Sequence, residues 1–292
     1  MGGIEMDKDL SRRSFIKTGA LGVATTTLGP SLIHKQDAFG LTAFQPTSMF
    51  CYQCEQTANG TGCTVYGVCG KSPTVAALHD VLIYSLKGLS ECAIAARGKN
   101  IDTTETDRFI PGALFATLTN VDFDPERFQK LIQETVTLRE NLKKKTVAAG
   151  GSPRYADGPA TFKPASTINE LAEQGENVGL KSDASMDADL QSLHHTLLFG
   201  LKGVSAYADH ARDLGQEDPT VDRFVQEGLV AIMNKELGIE EMLALVLKCG
   251  KTNLRAMEML DAGNTSHYGH PVPTQVPLGA KKGKLSWYRD TT

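Results

Sequence analysis

Residues 82–97, LIYSLKGLSECAIAAR, align without a gap to residues 197–212, LLFGLKGVSAYADHAR, and eight of the sixteen positions are identical. The offset of 115 persists, so that Asp107-Arg108-Phe109 falls on Asp222-Arg223-Phe224. With a slip of one residue, Leu138-Arg139 falls on Leu254-Arg255. The chain therefore builds one supersecondary unit twice, at a period too long for a solenoid. Within the unit the pattern is helical. Val75, Ala76, Leu78, Val81, Leu82, Leu86 and Leu89 recur mostly at three and four, which places them on one helix face. Each copy carries a glycine, Gly88 or Gly203, at the same point inside a helix. Such a glycine costs roughly 1 kcal/mol against Ala, and the matched pair predicts a close helix–helix approach at both positions.

Start signals divide the rest. Ser72-Pro73, Asp124-Pro125 and Asp218-Pro219 each pair a capping side chain with a proline suited to the first helical turn. The reading is a helix from Ser72-Pro73, a second over about Thr106 to Leu118 with Pro111 as a kink point, and a third from Asp124-Pro125 to about Val147. A fourth spans about 187–213, a fifth runs from Asp218-Pro219 to about Leu237, and two more lie near 239–248 and 252–262. No alternating strand pattern is present. The expected fold class is all-α: two stacked three-helix bundles related by the internal repeat, preceded by a cysteine-rich cluster-binding loop. The divisions are an export segment (1–48), the cysteine-rich loop (49–71) and the first bundle (72–148). A Gly/Pro/Ser-rich connection follows (149–186), with a short helix near Asn169–Gln174, then the second helical bundle (187–264) and a junction loop with tail (265–292).

The export reading rests on Ser11-Arg12-Arg13-Ser14-Phe15-Ile16-Lys17, of twin-arginine form S-R-R-x-F-x-K, followed by a mild Gly/Ala/Thr-rich apolar stretch from Thr18 to about Leu32. It predicts a periplasmic protein; a disordered basic tail is the plain alternative. A formal net charge of −4 with dispersed basic residues offers no electrostatic footprint for nucleic acid. No apolar run reaches the roughly 18 residues of a membrane span.

Four of the six cysteines, Cys51, Cys54, Cys63 and Cys69, fall within MFCYQCEQTANGTGCTVYGVCG (49–70), spaced C-x2-C-x8-C-x5-C. Thiols at this density call for a covalent or coordinate partner. Three occupants fit. An iron–sulfur cluster takes four thiolates, and Gly60, Gly62, Gly67 and Gly70 let backbone N–H groups approach its sulfurs, with Tyr52, Tyr66 and Val68 placed to keep water away. Structural zinc usually takes two short C-x-x-C-type knuckles, of which one is present. Disulfides become available to an exported chain.

MFCYQCEQT followed by TGCTVYGVCGK resembles the start of the hybrid cluster proteins, also called hydroxylamine reductases or prismane proteins. VAALHDVLIYSLKGLS, FGLKGVSAYADHA and NTSHYGHPVPTQVPLG extend the resemblance over roughly residues 49–283. It implies that Cys51, Cys54, Cys63 and Cys69 ligate a [4Fe–4S] cluster, and it implies two three-helix bundles. It also implies a redox electron donor as partner and reduction of hydroxylamine to ammonia as the full-length activity. Members without an extension such as residues 1–48 are cytoplasmic, the alternative location here. Beyond the VPLG loop the family continues into α/β domains holding a hybrid iron–sulfur–oxygen cluster on a His, carboxylates and cysteines. Here the chain reads Lys281-Lys282-Gly283-Lys284 and then LSWYRDTT. The hybrid cluster is therefore expected to be beyond the reach of this chain alone, with a complementary C-terminal catalytic half as partner and no catalytic residue within the chain. A stand-alone electron-transfer or redox-sensing module, or an inactive fragment, is the other outcome.

The remaining chemistry-bearing residues read as structural. Cys92 and Cys249 sit among apolar neighbours as buried thiols. His194-His195 are adjacent in a helix and do not share a face. His267 and His270 fall in a Gly/Pro-rich stretch without a third ligand. Lys143-Lys144-Lys145 is a solvated basic face near a helix end.

Overall fold

A computed structural model describes residues 49–151, 155, 157–179, 186–273 and 275, all belonging to one unit, Phe44–Thr292. The twin-arginine segment and the LSWYRDTT tail lie outside the described residues. Seven α-helices are present among them: α1 (Pro73–Arg97), α2 (Thr104–Ala116), α3 (Pro125–Ala148), α4 (Ile168–Val178), α5 (Ala188–Asp213), α6 (Pro219–Ala231) and α7 (Ile239–Tyr268). No strand occurs among the described residues; the one ladder element is an isolated antiparallel bridge between Cys51 and Cys63. No described helix is long and apolar enough to cross a membrane.

The start signals act as the sequence predicts. Ser72 accepts the Val75 N–H at 3.2 Å, Asp124 those of Glu126 and Arg127, and Asp218 that of Thr220, each satisfying a donor that the first helical turn leaves open. The ends differ in two places. The fifth predicted helix stops at Ala231, not near Leu237. There Met233 and Asn234 tighten onto i−3 carbonyls, and the Asn234 side chain takes the Glu236 N–H at 3.0 Å, a local bond that competes with helix continuation. The two short helices predicted near 239–248 and 252–262 are one continuous helix, α7. Gly250 lowers its stability by only about 1 kcal/mol, too little to end a helix anchored at its start by the Glu241 carboxylate on the Gly238 N–H.

The repeat is visible in the packing. The first and third helices of each copy, α1 with α3 and α5 with α7, make the most extensive contacts in the molecule. The middle helices cross over: α2 packs more on α5 than on α1, and α6 lies against both α1 and α5. The copies thus interlock about one core, in which Leu78, Leu82, Leu86 and Leu89 of α1 and Leu197 and Leu201 of α5 are wholly buried. An ion pair repeats with them. Arg97 meets Asp107 at 2.9 Å, and Arg212 meets Asp222 at 3.0 Å.

The copies then diverge. At Gly88 an added Cβ would lie under 3.0 Å from the backbone of Pro159 and Ala160, so the close approach predicted there exists, but its partner is the connecting segment. Arg139, 2% exposed, fixes that segment by donating to the carbonyls of Pro159 at 2.9 Å and Phe162 at 2.7 Å. At Gly203 nothing lies within 4 Å, and the predicted approach is not made. Leu138 is buried, whereas its repeat mate Leu254 is 61% exposed.

Candidate metal centre

The cysteine-rich stretch folds back on itself and seats on the start of α1. Cys51 and Cys63 exchange both backbone hydrogen bonds, at 3.1 and 2.8 Å. Between them a 3₁₀ turn, Ala58–Gly60, reverses the chain. Gly62, at φ +140°, closes the reversal, and a Cβ there would strike the Phe50 ring. Met49, Cys63 and Ala76 form a small buried cluster, with Cys51 and Ala58 packed on it.

Cys63 is buried, Cys51, Cys54 and Cys69 are half-buried, and all four are free thiols. The Cys63 sulfur receives the Ala58 N–H at 3.5 Å and lies 3.8 Å from the Thr57 hydroxyl. Its pKa is lowered, foremost by the backbone N–H of Val68, then by that of Ala58, against the opposing effect of burial; Thr57 and the charge of Lys71 add to the lowering. Donors aimed at a sulfur stabilise thiolate over thiol, the form in which cysteine ligates metals. At Gly67 a Cβ would come within 3.1 Å of the Cys69 sulfur, so backbone occupies the space beside that thiol. The donor set suits a thiophilic centre. As they stand, no three or more His, Cys, Asp or Glu side chains among the described residues form a group that could hold a metal ion.

Two of the three residues expected to exclude water do not. Tyr66 and Val68 are 54% and 59% exposed, because they point outward from the turn between Cys63 and Cys69. Tyr52 is half-buried: its hydroxyl and Nδ1 of His195 share a hydrogen bond, and its ring packs edge-on against Phe199. This contact ties the loop to α5, beside a cleft of about 370 Å³ lined by Phe50, Tyr52 and His195 among others. Burial lowers the His195 pKa.

Beneath the loop lie two lysines that sequence reading passed over. Lys71 is 1% exposed and Lys202 is wholly buried. Lys202 Nζ donates to Gln53 Oε1 at 2.6 Å and to the Thr117 carbonyl at 3.3 Å. Lys71 Nζ donates to Nδ1 of His79 at 3.1 Å. Burial, with Lys71 and then Lys202 adding, holds His79 well below the usual imidazole range. Burial, then Lys71, brings Lys202 down to about 7, while Asp80 and Cys51 favour its charged form. The available signal was the repeat itself, which places Lys202 on Lys87 in a shared L-K-G.

The other flagged residues lie elsewhere. Burial raises Cys92 in α1 and raises Cys249, set against Gly200, to about 11. His194 is buried, also lowered by burial. His267 belongs to the last turn of α7, not to a loop, and its Nδ1 lies 3.0 Å from the Gly263 carbonyl; His270 is exposed.

An interlocked helical pair bearing a cysteine-rich loop at one helix start is the class of protein that fold and site define. Residues 49–286 match the model of the Prismane/CO dehydrogenase family, and the chain belongs to that family. It is 58% identical over 237 residues to a hydroxylamine reductase of Methanocella arvoryzae, an alignment covering 81% of this chain and 44% of that protein. A hydroxylamine reductase of Syntrophobacter fumaroxidans is 58% identical over 236 residues, again 81% and 44%. One from Rippkaea orientalis is 48% identical over 239 residues, 81% and 43%. The chain thus spans less than half the length of these relatives.

Proposed function

We propose that Cys51, Cys54, Cys63 and Cys69 hold a [4Fe–4S] cluster, and that this chain is the electron-transfer part of a hydroxylamine reductase-like oxidoreductase. Cys63 carries the reading: a buried thiol supplied with backbone N–H donors, in one folded loop with three other free thiols. A bound cluster supplies one-electron chemistry. The chain's own part is to ligate it through four thiolates, donate hydrogen bonds to the Cys63 sulfur from the Val68 and Ala58 N–H groups, and seat the loop on α1 and α5 through Ala76 and the Tyr52–His195 contact. The arrangement of the repeat as two stacked three-helix bundles, with residues 49–71 as the cluster loop, belongs to the same reading.

Hydroxylamine reduction is then completed on a hybrid cluster held by the part of the relatives that these residues do not match. Support comes from α7, whose Ile239, Leu243, Leu247, Leu254 and Met257 are all exposed apolar residues at helical spacing. An external redox protein is the electron donor, and residues 11–17 direct twin-arginine export to the periplasm.

The test is anaerobic purification with iron and sulfide analysis, then a hydroxylamine assay with a reduced dye. Four irons with broad visible absorption, lost in Cys54→Ser, is the expected outcome, with turnover only when the complementary piece is added. A single zinc with no iron refutes the cluster, and turnover by this chain alone refutes the division of labour. A cluster that no complementary piece activates makes the chain a stand-alone electron-transfer module.

A further inference from the structure

Among the described residues, Cys51 and Cys63 are the one pair joined by a β-bridge. The Cys51 N–H donates to the Cys63 carbonyl at 3.1 Å, and the Cys63 N–H to the Cys51 carbonyl at 2.8 Å. Residues that exchange both bonds across an antiparallel pair stand directly opposite, with Cα atoms about 5.5 Å apart, within the ~4.4–6.8 Å that a disulfide spans. Their side chains leave on the same face. The packing agrees: Cys63 is buried with Met49 and Ala76, and Cys51 rests on that same cluster. The Thr57 hydroxyl ties the two further, donating to the Cys51 carbonyl at 3.1 Å and lying 3.8 Å from the Cys63 sulfur. The competing C-x-x-C pair is placed otherwise. Both backbone groups of Cys51 are committed to Cys63, and the first turn of the loop opens only at Cys54, whose carbonyl accepts the Thr57 N–H at 3.2 Å.

We propose that Cys51 and Cys63 are a thiol modification site that closes into a reversible disulfide, with a low-molecular-weight disulfide such as oxidised glutathione as the oxidant. Cys51, half-buried, is the thiol that an oxidant reaches; Cys63, 4% exposed, is the one that resolves. The Cys51 thiolate attacks one sulfur of the oxidant, forming a mixed disulfide and releasing one thiol. The Cys63 thiolate then attacks the Cys51 sulfur and displaces the second thiol. Two protein thiols are thereby oxidised, the oxidant is reduced to two thiols, and the two protons pass to them. In a hydrogen-bonded pair the Cβ atoms stand toward ~5.5 Å, against the ~3.5–4.5 Å of a relaxed disulfide. Closure therefore draws the two arms together and leaves a bond that thiols reduce readily. The bridge is isolated, not part of a sheet, which lets the arms make that approach. A disulfide uses up the thiolates that a metal needs, so the bond and the ligation proposed above exclude one another. The inference does not depend on that ligation.

The test uses the full chain, shown by analysis to be free of iron and zinc after chelation, equilibrated with oxidised or reduced glutathione. Thiols are alkylated after denaturation and the peptides mapped by mass spectrometry. Of the six cysteines, two are expected to be lost to alkylation with oxidised glutathione, in a single Cys51–Cys63 link, and regained with reduced glutathione. Cys54→Ser and Cys69→Ser retain the link. Cys63→Ser leaves glutathione on Cys51, and Cys51→Ser leaves Cys63 open to alkylation. A Cys51–Cys54 link, a scatter of pairings, a link between two chains, or no link under excess oxidised glutathione overturns the proposal. Helical circular dichroism is recorded for each chain. Should Cys51→Ser or Cys63→Ser fail to fold, the wild-type map and the Cys54→Ser and Cys69→Ser chains decide the matter. Iron analysis of the untreated chain tests the cluster separately: iron without the link sinks this inference alone, and the link without iron sinks the cluster alone.

Discussion

Gln226 of α6 donates to the Asp107 carboxylate of α2 at 2.7 Å, and its own carbonyl accepts from Arg97 of α1. One wholly buried amide thereby joins the ion pair of the first repeat copy to a helix of the second. The contact explains why the copies interlock: with a donor and an acceptor on one end, Gln226 satisfies both members of the Arg97–Asp107 pair, which a purely apolar interface would leave short of partners. The mated pair reaches the other copy through its arginine, Arg212 donating to the Arg108 carbonyl of α2 at 3.4 Å, and its acid behaves differently.

Burial, opposed by Arg212 and aided by Asp107, holds Asp222 up at about 6. A carboxyl whose folded pKa lies above its unfolded value binds its proton more tightly in the folded state. Stability therefore falls as pH rises from about 4 to about 6, by on the order of 2 kcal/mol from this group. Asp218, held down at about 2 chiefly by Thr220 and Arg255, acts with opposite sign, and its contribution is lost only as pH falls below its unfolded value toward 2. Urea unfolding of wild type and Asp222→Asn at pH 4.5, 5.5 and 7 separates the terms. The two stability curves should converge at the acid end and part as pH rises; parallel curves would contradict the assignment.

Gly88 and Gly203 are equivalent in sequence and not in space. Gly88→Ala drives a methyl group into the Pro159 carbonyl and should cost about 1–3 kcal/mol as overpacking. Gly203→Ala meets nothing within 4 Å and should gain up to about 1 kcal/mol of helix propensity. Opposite signs in thermal or urea unfolding are the expected outcome; equal shifts would mean the two helices sit in like surroundings.

Gly67→Ala places a methyl group 3.0 Å from the Lys71 Cβ and 3.1 Å from the Cys69 sulfur. Relief by moving Cys69 weakens the loop by about 1–3 kcal/mol, and if the loop holds the proposed cluster, a chelator should remove its iron roughly tenfold or more faster than from wild type. Gly158→Ala, with open space around it, serves as control. Equal chelation kinetics in both would show that backbone approach at Gly67 is irrelevant to the centre.

Much was legible in the chain. The caps at Ser72, Asp124 and Asp218 marked helix starts because each depends on a side chain and the two or three residues after it. The end of α6 was missed because an Asn234 turn, not a glycine or proline, stops it. The single α7 was missed because Gly250 reads as punctuation, although its cost is small beside thirty residues of helix. Cys51, Cys54, Cys63 and Cys69 stood out by their spacing, and the structure places them in one folded loop, Cys51 and Cys63 paired through their backbones. Tyr66 and Val68 were misjudged, because apolar character does not say which way a loop residue points.

Spacing, periodicity and the repeat by themselves determined the all-α class, the four-thiol loop and the equivalence of residues 115 apart, since all three are written in local order along the chain. Only the tertiary structure decided that the middle helices cross between copies, that Gly88 is packed while Gly203 is open, and that Lys71 and Lys202 are buried, Lys202 against Gln53 of the cysteine-rich loop. Burial and charge proximity arise from segments far apart in sequence: Lys202 and Gln53 are separated by 149 positions and meet at 2.6 Å.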